Sequence, residues 1–248
     1  MPTIQLSNIS TKAPKGFSKE ATKVKTQKLI EKLDELQNVL FAESKQSVLV
    51  VIQGMDASGK DGVIKNVFGH LNPQGVSVAS FKAPTELELK HDFLWRIHQK
   101  VPAKGMIQIF NRSHYEDILV TRVHKWCDDE TAKKRMEAIN HFESLLSNHN
   151  QTQILKFFLH VSPEEQQIRL QERMKDPRKM WKYNENDFKE AKLWNIYQKM
   201  YQDCFKYCNQ VPWTIVPADQ NWYKEYVIAK KLYDCLSALN MQYPGFKK

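Results

Sequence analysis

No stretch of this chain approaches the roughly 18 consecutive apolar residues that a membrane-spanning helix needs, which excludes an integral membrane protein of that type. The opening MPTIQLSNIS lacks the charged and then apolar plan of a secretory leader, so none is expected. Cysteine is sparse. The four present, Cys127, Cys204, Cys208 and Cys235, show neither C-x-x-C spacing nor a paired histidine pattern, which argues against a zinc site and reads as free thiols in a reducing cytoplasm. The eight histidines show no metal spacing and no evident nucleophile partner. Repeats, a linker and a second core are all missing from the pattern.

Glycine is also scarce, at eight in 248 residues, yet Gly54, Gly59 and Gly62 fall within nine positions. Ahead of them Val48 to Ile52 is an unbroken aliphatic run, the signature of a strand buried on both faces. Behind them Val63, Ile64, Val67 and Phe68 recur at helical spacing. Strand, glycine loop and helix form the setting in which a G-x-x-x-x-G-K match is meaningful, because loop amides then converge on an anion. Gly54, Ala57, Ser58, Gly59, Lys60, Asp61 and Gly62 are therefore candidate phosphate-binding residues, with Lys60 bringing a mobile charge to the outer phosphates. Position 61 departs from the motif: it is Asp where a magnesium-binding Ser or Thr is expected. Asp56 is a second carboxylate inside the loop. Beside bound phosphate it makes physical sense with a cation between them, or on a group that loses a proton; a local turn bond is the bland alternative.

The length suits one large α/β domain or two small ones. Lys and Arg exceed Asp and Glu by nine, which implies an anionic partner without naming it. Residues 1–18 read as a polar arm, and the pattern from Lys19 to Ser44 as an amphipathic helix whose apolar face would suit a homo-oligomer if exposed. Strands are expected at Val76 to Phe81, Met106 to Phe110, Ile154 to Val161 and Trp213 to Val216. Helices are expected from about Glu86 (with Leu89, Phe93, Leu94 and Ile97 inward), over 130–148, from Ser162 and over 222–239. Such alternation means a five-stranded parallel sheet with helices on both faces.

Ligands of open parallel sheets collect at the carboxyl ends of the strands. Besides the glycine loop, those ends carry Lys82 and the run Asn111 to Asp117. Glu116 and Asp117 are candidate magnesium contacts, and Arg112 a stabiliser of charge near the phosphates. Capping of the next helix is the bland alternative, strongest for Asp117. Six basic residues fall between Arg169 and Lys182, around Pro177, which bends the element. The bland reading is a solvated face. Beside a phosphate loop, the better reading is a lid over about 165–200 that closes on the phosphates.

Five ordered motifs, Gly54 to Gly62, Phe81 to Thr85, His91 to Arg96, Phe110 to Asp117 and Asp176 to Lys182, resemble those of the family-2 polyphosphate kinases, over about Phe17 to Tyr243. The resemblance implies a three-layer P-loop kinase fold with a helical lid, a single unit over 19–243. It also implies magnesium-dependent, reversible transfer of a phosphoryl group from inorganic polyphosphate to AMP and ADP, giving ADP and ATP; Mn2+ could replace Mg2+. On that footing Lys60 and the loop amides hold phosphates, Asp56 orients the acceptor phosphate or its magnesium, and Arg112 steadies the transferred group. Arg173, Lys175, Arg178 and Lys182 belong to the lid and channel. Asn111 stands where many members have Asp, which moves any anionic metal contact to Glu116, and the Asn and Glu combination resembles the branch acting on both AMP and ADP. An ATP-dependent nucleoside monophosphate kinase of thymidylate-kinase type is the runner-up, since it shares loop, lid and magnesium. A basic polyanion-binding protein explains the charge but not Asp56 or Glu116. Its tryptophans are scattered, so nucleic acid is not expected.

Overall fold

A computed structural model describes residues 4–246. Five parallel strands, β1 (Ser47–Gln53), β2 (Val76–Ser80), β3 (Ile107–Asn111), β4 (Thr152–His160) and β5 (Trp213–Pro217), form one sheet in the order β2-β3-β1-β4-β5. The central strand is buried along its whole length, as its aliphatic run requires. Its alternate residues serve opposite layers. Leu49 and Val51 face a core shared with Phe110, Phe142, Phe158 and Phe205, while Val48, Val50 and Ile52 face one shared with Leu33, Phe157, Ile228 and Leu232. The expected α/β sandwich is therefore present.

Helix ends follow local chemistry. Helix α1 (Lys19–Glu43) starts at Ser18, whose hydroxyl accepts from the Ala21 N–H, and stops at Ser44 in the left-handed region. Its apolar stripe, Leu33 and Leu40, is buried against the last helix, α9 (Asn221–Ser237). That stripe is thus covered from within the chain, while Val24 and Phe41 of the same helix stay exposed. Helix α2 (Lys60–Val63) runs into a π-turn over Ile64–Phe68. Among the described residues, no helix is long and apolar enough to cross a membrane.

The helix expected from Glu86 is not continuous: a 3-10 turn at Glu88–Lys90 precedes α3 (Trp95–His98). Leu89 points outward and only Ile97 of the expected inner residues is fully buried. Asp92 explains the break, since its carboxylate takes the Leu94 N–H in a local turn. Helix α4 (Glu116–Val123) follows β3 directly, and α5 (Asp129–Asn150) fits the expected 130–148. After β4, α6 (Pro163–Lys175) is capped by Ser162 and ends before Pro177, where the chain breaks as predicted. The lid continues through a 3-10 turn at Met180–Lys182 into α7 (Glu185–Ala191) and α8 (Trp194–Tyr207). The arm is tied down: Leu6 is buried, the Thr11 carbonyl accepts from the Asp219 N–H, and the Ala13 N–H donates to Gln220.

Candidate active site

Parallel strands bring their carboxyl ends to one edge, so the loops after β1, β2 and β3 meet there. Between them and the lid opens a cleft of about 980 Å3. Asp56, Ala57, Gly59, Lys60, Asp61 and Gly62 line it from the glycine loop, Lys82 from the end of β2, Arg112 from the end of β3, and Arg173, Arg178 and Lys182 from the lid. Most of the residues expected at the site are thereby brought together.

Inside the loop the backbone turns sharply. Gly54, Ala57 and Gly59 have φ of 153°, 60° and 92°, in the region that favours glycine. A Cβ on Gly54 would come within 2.8 Å of the Ser58 hydroxyl oxygen, so that glycine is needed for space as well as for its dihedral angle. Lys60 folds back over the loop, its Nζ donating to the Gly54 carbonyl at 2.6 Å and the Met55 carbonyl at 3.1 Å. Burial pushes its ammonium down to about 8; Arg112 adds to the fall, and Asp56, Glu116 and Asp61 oppose it.

Arg112 adopts a left-handed backbone (φ 62°) at the end of β3, and its guanidinium bonds the Asp56 carboxylate and lies 3.8 Å from Glu116. Burial, the Asp56 charge and the Glu116 charge act on it together, and the carboxylates leave its pKa above the ordinary arginine value. Glu116 faces a smaller cavity behind the loop, of about 30 Å3, beside Tyr197, Tyr201 and Glu190. Burial raises its carboxyl above the usual range despite Arg112 and Lys60.

The segment carrying Arg112 and Glu116 is anchored from below. The Tyr115 hydroxyl donates to Glu143 at 2.8 Å, and the buried Lys156 ammonium donates to Glu143, to the Tyr115 oxygen and to the Cys208 carbonyl. Burial pushes the Glu143 carboxyl up, but Lys156 and His114 hold it below its ordinary value.

Of the other expected residues, Gly54 and Glu116 line the smaller cavity, Ser58 is buried within the loop, and Asp117 and Lys175 lie elsewhere. Asp117 turns away from the cleft, to 3.6 Å from the buried Arg96 guanidinium, which also donates to the Lys82 carbonyl. It braces the loops after β2 and β3 through that guanidinium and does not line the cleft. Lys175 sits on the exposed end of α6, outside the cleft lining. Asp61 has a role its position in the motif does not suggest: its carboxylate takes hydrogen bonds from Asn111 at 2.9 Å and from Lys182 at 2.5 Å, tying loop, sheet and lid. The lid cations are paired in the same way. Arg173 bonds Asp187, Arg178 lies 3.1 Å from Asp176, and Lys179 lies 2.5 Å from Glu172. A polyanion entering the cleft therefore exchanges partners with these carboxylates and does not meet bare charge.

A family model described as polyphosphate kinase 2 matches residues 16–244. The chain belongs to the polyphosphate kinase 2 family. An AMP/ADP-polyphosphate phosphotransferase of Meiothermus ruber is 48% identical over 86% of this chain and 80% of that protein. An ADP-polyphosphate phosphotransferase of Rhodopseudomonas palustris is 38% identical over 87% of this chain and 79% of that protein. The crystal structure of polyphosphate kinase 2 from Arthrobacter aurescens superposes with a TM-score of 0.95 at 38% identity, covering 99% of this chain and 89% of that one. Four of the five motifs of this polyphosphate kinase 2 chain line one cleft, and the fifth, His91 to Arg96, supports it through Arg96, which bonds the Lys82 carbonyl.

Sequence reasoning missed part of the loop's support. Arg169 was grouped with the mobile basic stretch, yet it lies on the rigid part of α6 and donates to the carbonyls of Ala57, Ser58, Ala218 and Asp219. Gln166 holds the Asp56 carbonyl at 3.0 Å, and Lys224 the Ser58 carbonyl at 3.0 Å. A pairing of Glu165 with Arg169 at helical spacing was the one available signal. Lys224 had none.

Proposed function

We propose that this chain transfers the terminal phosphoryl group of inorganic polyphosphate to AMP and ADP, giving ADP and ATP, with magnesium. The observation that carries the reading is the meeting of Lys60, Arg112 and the paired lid cations around one open cleft, in a member of the polyphosphate kinase 2 family. The likeness to the Meiothermus ruber AMP/ADP-polyphosphate phosphotransferase supports both acceptors. Phosphoryl transfer of this kind needs no covalent intermediate, only positioning and charge stabilisation. Lys60 and the loop amides hold phosphate oxygens, Arg112 follows the transferred group, and closure of α6 and α7 excludes water.

Asp56 and Glu116 fit a magnesium ion in chemistry: both are oxygen donors, both lie within reach of Arg112, and magnesium usually takes one or two carboxylates with phosphate oxygens and water. Among the described residues no group of three or more metal-binding side chains converges, so substrate oxygens and water would complete the shell. Bound there, the ion would neutralise phosphate charge. The four unpaired thiols suit a reducing cytoplasm.

The test is ATP formation from purified protein, magnesium and long-chain polyphosphate with AMP or ADP as acceptor. ATP from AMP alone supports both steps; ATP from ADP only keeps the donor and removes AMP. Transfer only from added ATP to a monophosphate makes the chain an ordinary nucleotide kinase. A Glu116→Ala variant should lose AMP activity far more than ADP activity, and an unchanged ratio counts against that role.

A further inference from the structure

Lys224 is a costly residue in its place. It is 1% exposed on α9, and among the described residues it makes no ion pair; its Nζ donates to the Ser58 carbonyl at 3.0 Å. Burial lowers its ammonium to about 7, with Arg169 adding to the effect and Glu225 opposing it, while Lys60 lowers and Glu165 raises it more weakly. An apolar side chain would fill the space without that cost. Its surroundings give the reason for the lysine.

Ser58 O is held twice, by Lys224 and by Arg169 Nη1 at 3.1 Å. Both donors come from outside the loop, Lys224 from α9 and Arg169, itself part of the cleft lining, from α6. The Ser58–Gly59 peptide is trans, so its C=O and N–H point in opposite directions. Fixing the carbonyl on its two donors therefore fixes the Gly59 N–H on the opposite side of the peptide, and Gly59 lines the cleft. The fit is close. A Cβ on Gly59 would stand 2.0 Å from Lys224 Nζ, and φ there is 92°. Glycine at 59 and lysine at 224 are complementary: one leaves the space that the other enters.

We propose that Lys224, acting with Arg169, is a positioning residue of the phosphate loop, fixing the Ser58 carbonyl so that the Gly59 N–H on the other side of that peptide donates to a phosphate oxygen of the bound polyanion. The inference rests on the polyphosphate reading for its ligand, and its tests separate the two. In the wild-type protein, the Gly59 amide followed by 15N NMR should shift strongly on addition of tripolyphosphate and gain protection from hydrogen exchange. An unmoved Gly59 amide, while neighbouring loop amides shift, overturns the proposal without any variant. In Lys224→Met, KM for polyphosphate should rise about tenfold, in line with loss of a charge-assisted bond, and Lys224→Arg should recover most of it. The rise in thermal midpoint produced by tripolyphosphate should shrink in the same order. A lower midpoint without ligand but an unchanged tripolyphosphate increment means that Lys224 only packs, and overturns the proposal. Wild-type protein that binds tripolyphosphate through Gly59 but transfers nothing from polyphosphate sinks the donor assignment and leaves the loop geometry standing.

Discussion

The cations that hold the glycine loop and the cations of the lid are kept in opposite ways. Lys60 and Lys224 are buried, bound to backbone carbonyls, and held at about 8 and about 7 by desolvation. The lid cations keep near-ordinary surroundings: Arg178 is 89% exposed and its partner is Asp176 two residues away. The loop cations are thus fixed in position and weakly hydrated. The lid cations Arg173, Arg178 and Lys182 are more open to water and each is paired with a carboxylate, that of Lys182 being Asp61 of the loop. Charge that must act on one atom is built into the core, while charge that must follow a polymer stays at the surface.

Four substitutions or titrations bear on that contrast. The largest effect is expected from Lys60→Met, which should lower kcat about 100- to 1000-fold with the protein still folded by circular dichroism; a loss under tenfold would put Lys60 on a level with the lid cations. Gly59→Ala comes next. Its methyl meets Lys224 and its backbone is left-handed, so kcat/KM for polyphosphate should fall about 10- to 100-fold, and a neutral result would mean that the loop is as yielding as the lid. Breaking the Asp61 to Lys182 tie is a smaller matter. Asp61→Asn and Lys182→Met should each raise KM no more than about fivefold, with strong coupling between them in a double-mutant cycle and weaker effects at high salt.

The smallest effect is a difference of sign with pH. Burial lowers both loop lysines below their unfolded values, so the unfolded chain binds more protons above about pH 7 and their burial costs less as pH rises toward the ordinary lysine range. Burial alone would raise the Asp61 carboxyl, but hydrogen bonds from Lys182 and Asn111 bring it below its ordinary value. Its contribution is present above the unfolded carboxylate pKa and fades as pH falls through the folded one. Thermal midpoints measured from pH 7 to 9 should therefore rise less in Lys224→Met than in wild type, and acid should destabilise Asp61→Asn less than wild type. Parallel curves in both ranges would erase the distinction.

The parts of this architecture that repeat a period were legible in sequence. Val48 to Ile52 reads as a buried strand and Ser162-Pro163 as a helix start, and both are so in the fold. The break at Asp92 was not, because a local side-chain bond overrode an apolar spacing that looked helical. At the site, Lys60, Asp56 and Arg112 announced themselves by a loop motif and a strand end. Asp117 shared the same strand end as Glu116, and nothing in the spacing tells which of two adjacent carboxylates faces the cleft; the turn into α4 decides it, sending Asp117 to Arg96. Lys224 lies more than 160 positions from the loop it supports, on a helix far along the chain from any motif. Contacts of that kind have no local pattern.

The buried Lys156 and Glu143 beneath Tyr115 bear on how such a chain can change over generations. Losing either partner alone strands a charge inside the core at a cost of about 3–5 kcal/mol, whereas exchanging both for apolar residues can be nearly neutral. One-step mutational routes out of the pair are thus closed while a two-step route lies open beyond a barrier. A descendant lacking one of these two residues is therefore expected to lack the other.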